Sequence, residues 1–165
     1  MRAAGVNYAV VGGNAVAAWV ATVDQAAVRN TQDVDILIRR GELETAKAAL
    51  ESAGFTYRHA AGLHVFLDSA TASPRNAVHL VFANEFVRPT EPAANPGVEE
   101  ATDFGEFRVI NLDALVRIKL TAFRDKDRTH LRDLIGVGLL DQAAVSRLSP
   151  ILGERLQSLL DTPEG

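Results

Sequence analysis

The sequence predicts an α+β fold, in which a mixed sheet with flanking helices is followed by a C-terminal helical segment. Three observations support this prediction. The first part of the chain alternates short apolar runs with helical patterns, the middle is rich in β-branched and aromatic residues, and the last third has apolar residues at helical spacing. With 165 residues, of which 47% are hydrophobic, the chain can bury the core of one compact domain.

The opening of the chain has the pattern strand, helix, strand, helix. The apolar run Tyr8–Val11 predicts a short buried strand, and Gly12 and Gly13 predict the turn that follows it. Asn14 is a favourable N-cap residue, so we expect a helix from there to about Asp24. A second strand is predicted at 34–38 and a second helix at 42–53, which ends before Gly54.

The middle of the chain predicts an antiparallel extension of the sheet. Strands are expected at 55–57, 64–67 and 78–82, with a polar connection over 69–76. Pro89, Pro92 and Pro96 exclude a helix and predict an extended surface segment. One more short strand is expected at 107–110.

The C-terminal third is predicted to be helical. Asn111 is expected to cap a long helix, because apolar residues fall at helical spacing from Leu112 onward. Residues 141–160 predict one or two further amphipathic helices, broken near Pro150 and near Gly153.

Composition and charge exclude several kinds of site. The chain has no cysteine, which excludes disulfides and thiolate metal ligands. Its formal net charge is −4, so attraction to nucleic acid or to an anionic membrane requires a local basic patch. The apolar run over 8–23 resembles a signal peptide, but Gly12, Gly13 and Asn14 interrupt it. We expect a cytoplasmic protein without a membrane partner.

The residues best suited to chemistry are two aspartates in the second strand. Asp33 and Asp35 are two residues apart, so in a strand their side chains share a face and can bind one hard cation together. Mg²⁺ prefers oxygen ligands and usually takes few protein carboxylates. The glycine turn at a helix N-terminus favours a phosphate nearby, and Arg29 and Thr31 lie close enough in sequence to reach it.

Each of these features also has a less specific interpretation. A double glycine after a strand is often only a turn, and paired acids occur at solvated strand ends.

The basic residues from Arg117 to Arg132 alternate with acids, and helical ion pairs explain much of that pattern. His130 is interpreted as a surface residue, and Trp19 as part of the core.

The motifs together resemble the nucleotidyltransferase superfamily, which has the DNA polymerase β-like fold. The resemblance rests on Gly-Gly-Asn-Ala from Gly12, then a helix, then Arg-x-Thr-x-Asp-Val-Asp-Ile from Arg29. It covers Tyr8 to about Phe82, and is closest to AbiEii-type and minimal nucleotidyltransferases that are related to toxins. The stretch from Lys119 to Asp133 is similar to a later helical motif of these relatives.

The resemblance implies a role for each matching residue. Asp33 and Asp35 would hold divalent metal, either Mg²⁺ or Mn²⁺, and the two glycines would cradle the triphosphate of an NTP. The remaining implied nucleotide contacts are Asn14, Arg29, Thr31, Lys119, Arg124 and Lys126.

Active members of the superfamily usually supply a third carboxylate from a neighbouring strand, and the matching position here is occupied by His79. An imidazole is a poor Mg²⁺ ligand and suits Mn²⁺ or Zn²⁺ better, so His79 is one candidate ligand for such an ion. The alternatives are that it acts as a general base, that it marks a loss of activity, or that it is a hydrogen-bonded residue of the sheet without a role in the site. Asp68 and Glu85 are the alternatives for a third carboxylate if the strand register differs.

The implied function is metal-dependent transfer of a nucleoside monophosphate from an NTP to a hydroxyl of RNA, protein or a small molecule. The AbiEii likeness adds a toxin role with an antitoxin partner, and the alternative is a nucleotide-binding pseudoenzyme. We expect a catalytic core at 1–88, a proline-rich connection at 89–106, and a helical segment packed on the core at 107–165.

Overall fold

The computed structural model describes residues 1–60, 62–68 and 77–162. Within these ranges, seven strands form one mixed sheet with helices on both faces, as the α+β prediction requires. The strands are β1 (Tyr8–Val11), β2 (Val34–Ile38), β3 (Thr56–Ala60), β4 (Leu63–Leu67), β5 (Ala77–Phe82), β6 (Ala101–Asp103) and β7 (Arg108–Ile110).

The strand order across the sheet is β3-β4-β5-β2-β1-β7-β6. β4 is antiparallel to both β3 and β5, which confirms the predicted extension, but β5 joins β2 in parallel. β1 is antiparallel to β2 and parallel to β7. β6 was not predicted and pairs antiparallel with β7 at the edge of the sheet.

The first helix begins earlier than predicted. The helices are α1 (Gly12–Ala21), α2 (Leu43–Ser52), α3 (Leu112–Ala122), α4 (Asp125–Gly136), α5 (Gln142–Val145) and α6 (Pro150–Asp161). The N-cap position of α1 is Val11, so the prediction that Asn14 caps this helix is wrong. α1 also ends at Ala21 and does not reach Asp24, which caps a short 3₁₀ turn.

The C-terminal helices follow the prediction more closely. The Asn111 side chain accepts a hydrogen bond of 2.8 Å from the Ala114 backbone nitrogen, which confirms it as the cap of α3. Pro150 starts α6, where its missing N–H costs nothing. Gly153 lies inside α6 and does not break it, because its backbone nitrogen donates to the Ser149 carbonyl at 2.8 Å.

The proline-rich segment is less exposed than predicted. It contains no α-helix, but Pro96, Gly97 and Val98 are buried, and Val98 belongs to the core. The predicted polar connection at 69–76 lies outside the described residues.

The two faces of the sheet bury separate clusters, because successive strand residues point in opposite directions. Ala9, Val11 and Leu37 pack with α1, α3, α4 and α6 on one face. Tyr8, Val10, Ile36 and Ile38 pack with α2 on the other. Trp19 lies against the first cluster, and its Nε1 donates to the Ile110 carbonyl at 2.9 Å, which ties α1 to β7.

None of the helices in the described ranges has both the length and the apolar character needed to cross a bilayer.

Candidate active site

The register of the three central strands brings the predicted acids and histidine together. Asp35 lies opposite Val11 of β1 and opposite His79 of β5. Asp33, just before β2, and Asp35 share the face of Leu37, which is the face that carries α1, α3 and α4. The side chains therefore meet where α1 leaves the sheet.

The donor atoms of these residues form a compact group. His79 Nδ1 lies 3.4 Å from Asp35 Oδ1 and 4.0 Å from Asp33 Oδ2. In the described residues, Asp33, Asp35 and His79 are the set whose ligand atoms all lie within 4.8 Å of one another. Their side chains are 34%, 25% and 26% exposed, so an ion or a phosphate can reach them.

The spacing fits one divalent cation. Two ligands about 2.1 Å from an ion, at octahedral or tetrahedral angles, are about 3.0 to 3.4 Å apart. The pair formed by His79 and Asp35, at 3.4 Å, already has this separation, and the pair formed by His79 and Asp33, at 4.0 Å, exceeds its upper limit by about 0.6 Å. Small side-chain rotations would bring all three donors onto one ion.

The two glycines allow the start of α1 to approach the acids. Gly12 has φ +69°, and a Cβ on it would lie 2.0 Å from Asp35 Oδ2. A Cβ on Gly13 would lie 3.0 Å from Thr31 Oγ1. Both positions therefore require glycine or a local shift, because any side chain would collide with the residues that form the site.

Asn14 and Thr31 hold the segment that carries Asp33. Asn14 Nδ2 donates to the Asp33 carbonyl at 2.6 Å, and the Thr31 hydroxyl donates to Asp33 Oδ1 at 2.9 Å. Burial alone would raise the pKa of Asp33, but the Thr31 hydrogen bond and the nearby charge of Lys126 lower it below its ordinary value. Asp33 is thus ionised at neutral pH.

His79 is coupled to both acids. Its interaction with Asp35 raises the pKa of the imidazole, burial opposes this, and the charges of Asp35 and Asp33 add to the increase. The same closeness makes the ring a potential third ligand once a cation replaces the proton.

The predicted phosphate contact Lys119 is buried. Its side chain is 4% exposed, and Nζ donates to Asp127 Oδ1 at 3.0 Å. Arg124 Nε donates to the other oxygen of Asp127 at 2.7 Å. Burial lowers the pKa of Lys119, and the charges of Asp127 and of Asp35 oppose this decrease. The ammonium group is therefore close enough to Asp35 for the two charges to interact.

Asp127 is the functional candidate that sequence reasoning missed. It is 1% exposed, and its Oδ2 also accepts from the Arg124 backbone nitrogen at 3.3 Å. Burial would raise the pKa of this carboxyl, but hydrogen bonds and charges from Arg124 and Lys119 lower it. An acid three residues after the N-cap of a helix was the available signal, but helical ion pairs had seemed enough to explain the charges of this stretch.

The other two basic candidates, Lys126 and Arg29, differ in their surroundings. Lys126 is exposed, and its charge acts on Asp33 and on His79. Arg29 is bound instead by α4, because its Nε lies 2.9 Å from both carboxylate oxygens of Asp133.

Three further residues are placed clearly. His130 is only partly exposed, so its interpretation as a surface residue is wrong, and burial next to Lys119 lowers its pKa. Glu85 pairs with Arg40 at 2.7 and 2.5 Å, and Asp68 is exposed at the end of β4. Since β2 and β5 align Asp35 with His79, neither acid takes the third position.

The mixed sheet with its flanking helices is a nucleotidyltransferase-like fold, and solved structures were compared with it. The antibiotic-resistance factor ANT(2'')-Ia, solved in solution, matches with a TM-score of 0.53 and 14% identity over 97% of this chain and 84% of that chain. A provisionally assigned nucleotidyltransferase from H. pylori gives a TM-score of 0.49 and 12% identity over 98% of this chain and 86% of that chain. At such low identity the likeness to ANT(2'')-Ia shows the fold alone. No family model matches the chain, and no curated protein is significantly similar to it in sequence.

Proposed function

We propose that the protein is a metal-dependent nucleotidyltransferase that moves a nucleoside monophosphate from an NTP to an acceptor hydroxyl. The observation that carries the proposal is the meeting of Asp33, Asp35 and His79 beside Gly12 at the start of α1. Ionised acids, a helix N-terminus and partial exposure are what a metal-bound triphosphate requires. The nucleotidyltransferase fold supports the same reaction.

The reaction needs an NTP held with its α-phosphorus open to the acceptor. Backbone N–H groups at Gly12 and Gly13, at the start of α1, would donate to phosphate oxygens, since a glycine places no side chain of its own between the backbone and the site. A divalent cation on Asp33 and Asp35 would neutralise phosphate charge and favour in-line attack with pyrophosphate leaving. Most of the catalytic effect then comes from positioning and charge.

The basic residues have graded roles in this proposal. Exposed Lys126 is the best placed to meet phosphate, and Arg124 offers the guanidinium nitrogens that Asp127 does not engage. Lys119 contributes positive charge from behind the site, since its Nζ is already bound to Asp127. Asn14 and Thr31 orient Asp33, and Arg29 would contact nucleotide only after leaving Asp133.

The test is transfer of label from each NTP, with Mg²⁺ or Mn²⁺, to RNA, protein and small hydroxyl compounds. Asp33→Asn and Asp35→Asn should each reduce the rate by at least about 100-fold, because each removes a charged ligand and leaves the fold in place. Asp68→Asn is the matched control, an exposed acid outside the site, and should have no effect. Transfer that survives both site substitutions would refute the proposal.

His79 favours a second candidate function, that of a nucleotide-binding pseudoenzyme. The third position of the site carries an imidazole that can be protonated next to Asp35. This candidate predicts that NTP binds, measured by calorimetry, while no NTP and metal combination yields labelled product.

The finer proposals concern context. The AbiEii-type likeness over 8–82 supports a cytoplasmic toxin that pairs with an antitoxin protein. The same likeness supports residues 1–88 as the catalytic core, which residues 89–106 connect to a helical segment at 107–165 that packs on it. The toxin role is tested by whether an adjacent gene encodes a protein that binds this chain and suppresses its effect on growth.

A further inference from the structure

We propose that Asp33, Asp35 and His79 form a site that selects a first-row transition-metal dication, with Mn²⁺ as the probe ion, over Mg²⁺. The inference deepens the proposed function, on which it rests for the site's role, and it concerns which cation these three side chains hold. The observation behind it is that the third donor is a ring nitrogen in the same group as the two carboxylates.

The donor set does not suit Mg²⁺ as well as it suits transition metals. Mg²⁺ binds oxygen ligands in a strict octahedron at about 2.0 to 2.1 Å and gives up its bound water reluctantly, so an imidazole offers it little. Transition dications accept both carboxylate oxygen and imidazole nitrogen, with affinities that rise from Mn²⁺ to Cu²⁺. Replacing one carboxylate by an imidazole therefore weakens binding of Mg²⁺ more than binding of Mn²⁺.

The charges lead to the same conclusion. Two ionised aspartates and a neutral imidazole carry two negative charges, which balance one dication, whereas three carboxylates would carry three. Lys126 and buried Lys119 also place positive charge near the site, since the charge of Lys126 acts on Asp33 and His79 and the charge of Asp35 acts on Lys119. Mg²⁺ binding depends mainly on electrostatic attraction, so the smaller negative charge of the site reduces the affinity for Mg²⁺. A transition metal also gains a bond to the imidazole nitrogen, which gives it the advantage.

His79 is held in place for this role. It lies in β5, which is flanked by β2 and β4, and its backbone register fixes it opposite Asp35. Its Nδ1 is the ring atom that faces both carboxylates, at 3.4 and 4.0 Å. A ligand on a central strand needs little reordering when the ion binds, which favours affinity.

The test measures cation binding without nucleotide. Free Mn²⁺ is followed by its electron paramagnetic resonance signal as protein is added, and Mg²⁺ is then titrated as competitor. We expect Mn²⁺ to bind at least about tenfold more tightly than Mg²⁺. His79→Ala should weaken Mn²⁺ binding by about tenfold or more, as losses of metal-site groups do. His59→Ala, which removes an exposed histidine of β3, should leave it unchanged.

His79→Asp provides the sharper variant. It restores three carboxylates, so the affinity for Mg²⁺ should rise and the ratio of the two dissociation constants should fall toward one. An unchanged ratio, or equal affinity for both ions in the unaltered protein, would overturn the inference.

A second measurement uses the unaltered protein and does not depend on how the variants fold. Pulsed electron paramagnetic resonance of bound Mn²⁺ should show coupling to a nitrogen nucleus, and its absence would exclude His79 as a ligand. Because these assays contain no NTP, they separate the two proposals. A preserved Mn²⁺ preference without label transfer refutes only the function, and transfer with equal ion affinities refutes only this inference.

Discussion

Asp127 organises the positive charges beside the candidate active site. One carboxylate that is 1% exposed binds Lys119 at one oxygen and Arg124 at the other. A charge that is this deeply buried is stable only while its partners remain, because desolvation of either ion without the other costs several kcal/mol. The same residue therefore determines both the stability of the α3 and α4 pair and the direction in which Arg124 points.

We predict that Asp127→Ala lowers the free energy of unfolding by about 3 to 5 kcal/mol, because Lys119 would remain buried without a counter-ion. Urea denaturation measures the change. Asp125→Ala is the matched control two residues away, since Asp125 is 93% exposed and pairs with Arg128 on the surface, and it should cost at most about 1 kcal/mol. Equal losses in the two variants would contradict the role assigned to Asp127.

Gly12 connects stability and the candidate site through its backbone. Gly12→Ala should destabilise the protein by about 1 to 2 kcal/mol from its φ of +69° alone, and further because the new methyl collides with Asp35. The same substitution should weaken Mn²⁺ binding by displacing that carboxylate. Unfolding and ion titration measure the two effects.

Gly41→Ala is the control for that substitution. Gly41 lies in a 3₁₀ turn, and a Cβ there would meet no atom within 4 Å, so its stability should change little or increase slightly. A Gly12→Ala protein as stable as the Gly41→Ala protein would show that the approach to Asp35 is not constrained.

At the scale of secondary structure, two asparagines show what a sequence pattern can and cannot predict. Asn111 and Asn14 each follow a strand and precede an apolar helical pattern, so both were interpreted as caps. Asn111 is one, but α1 starts two residues before Asn14, because Gly12 adopts a conformation that lets the chain turn at once. Asn14 is thus free to hold Asp33 in place, and only the tertiary structure reveals this.

Asn111→Ala should lower the free energy of unfolding by about 1 kcal/mol, because the Ala114 backbone nitrogen loses its acceptor. Asn111→Asp keeps an acceptor of the same length and should restore most of the loss. Thermal unfolding followed by circular dichroism measures both. A full loss in Asn111→Asp as well would mean that the cap interaction is not the cause.

The elements were easier to predict than the details of the site. Short apolar runs and strand-forming residues predicted β1 to β5 and β7, and the alternation of side chains along a strand placed Asp33 and Asp35 on one face. The burial of Lys119, Asp127 and His130 was not predictable, since it arises from the packing of α3 and α4 against each other and leaves no periodic trace. The interleaved acids there had instead suggested ion pairs along a helix.

At the scale of the whole molecule, the two ends of the chain share one core. Val109 and Ile110 of β7, with Leu115 of α3, pack in the same cluster as Val16 and Val20 of α1. Since β7 also pairs with β1, the sheet itself depends on residues beyond 106. The helical segment therefore completes the fold and cannot be a separate addition.

A chain truncated to residues 1–106 should not fold cooperatively, because this face of the sheet would lose its covering helices. Thermal denaturation followed by far-ultraviolet circular dichroism should show no sharp transition. The full chain should show one, and Trp19 fluorescence should change at the same temperature, as Trp19 bonds to Ile110. A sharp transition in the truncated chain would show that 1–106 is an autonomous unit.

The donor side chains come from two segments far apart in sequence, Asp33 and Asp35 at β2 and His79 in β5, which meet only when the two strands pair. An unfolded chain has no such arrangement, so any dication that occupies it shifts the folding equilibrium by mass action, by about 2.7 kcal/mol at 100 times its dissociation constant. The melting temperature is therefore a direct readout of occupancy. Melting temperatures measured with a series of dications would rank the ions by affinity before any acceptor is known.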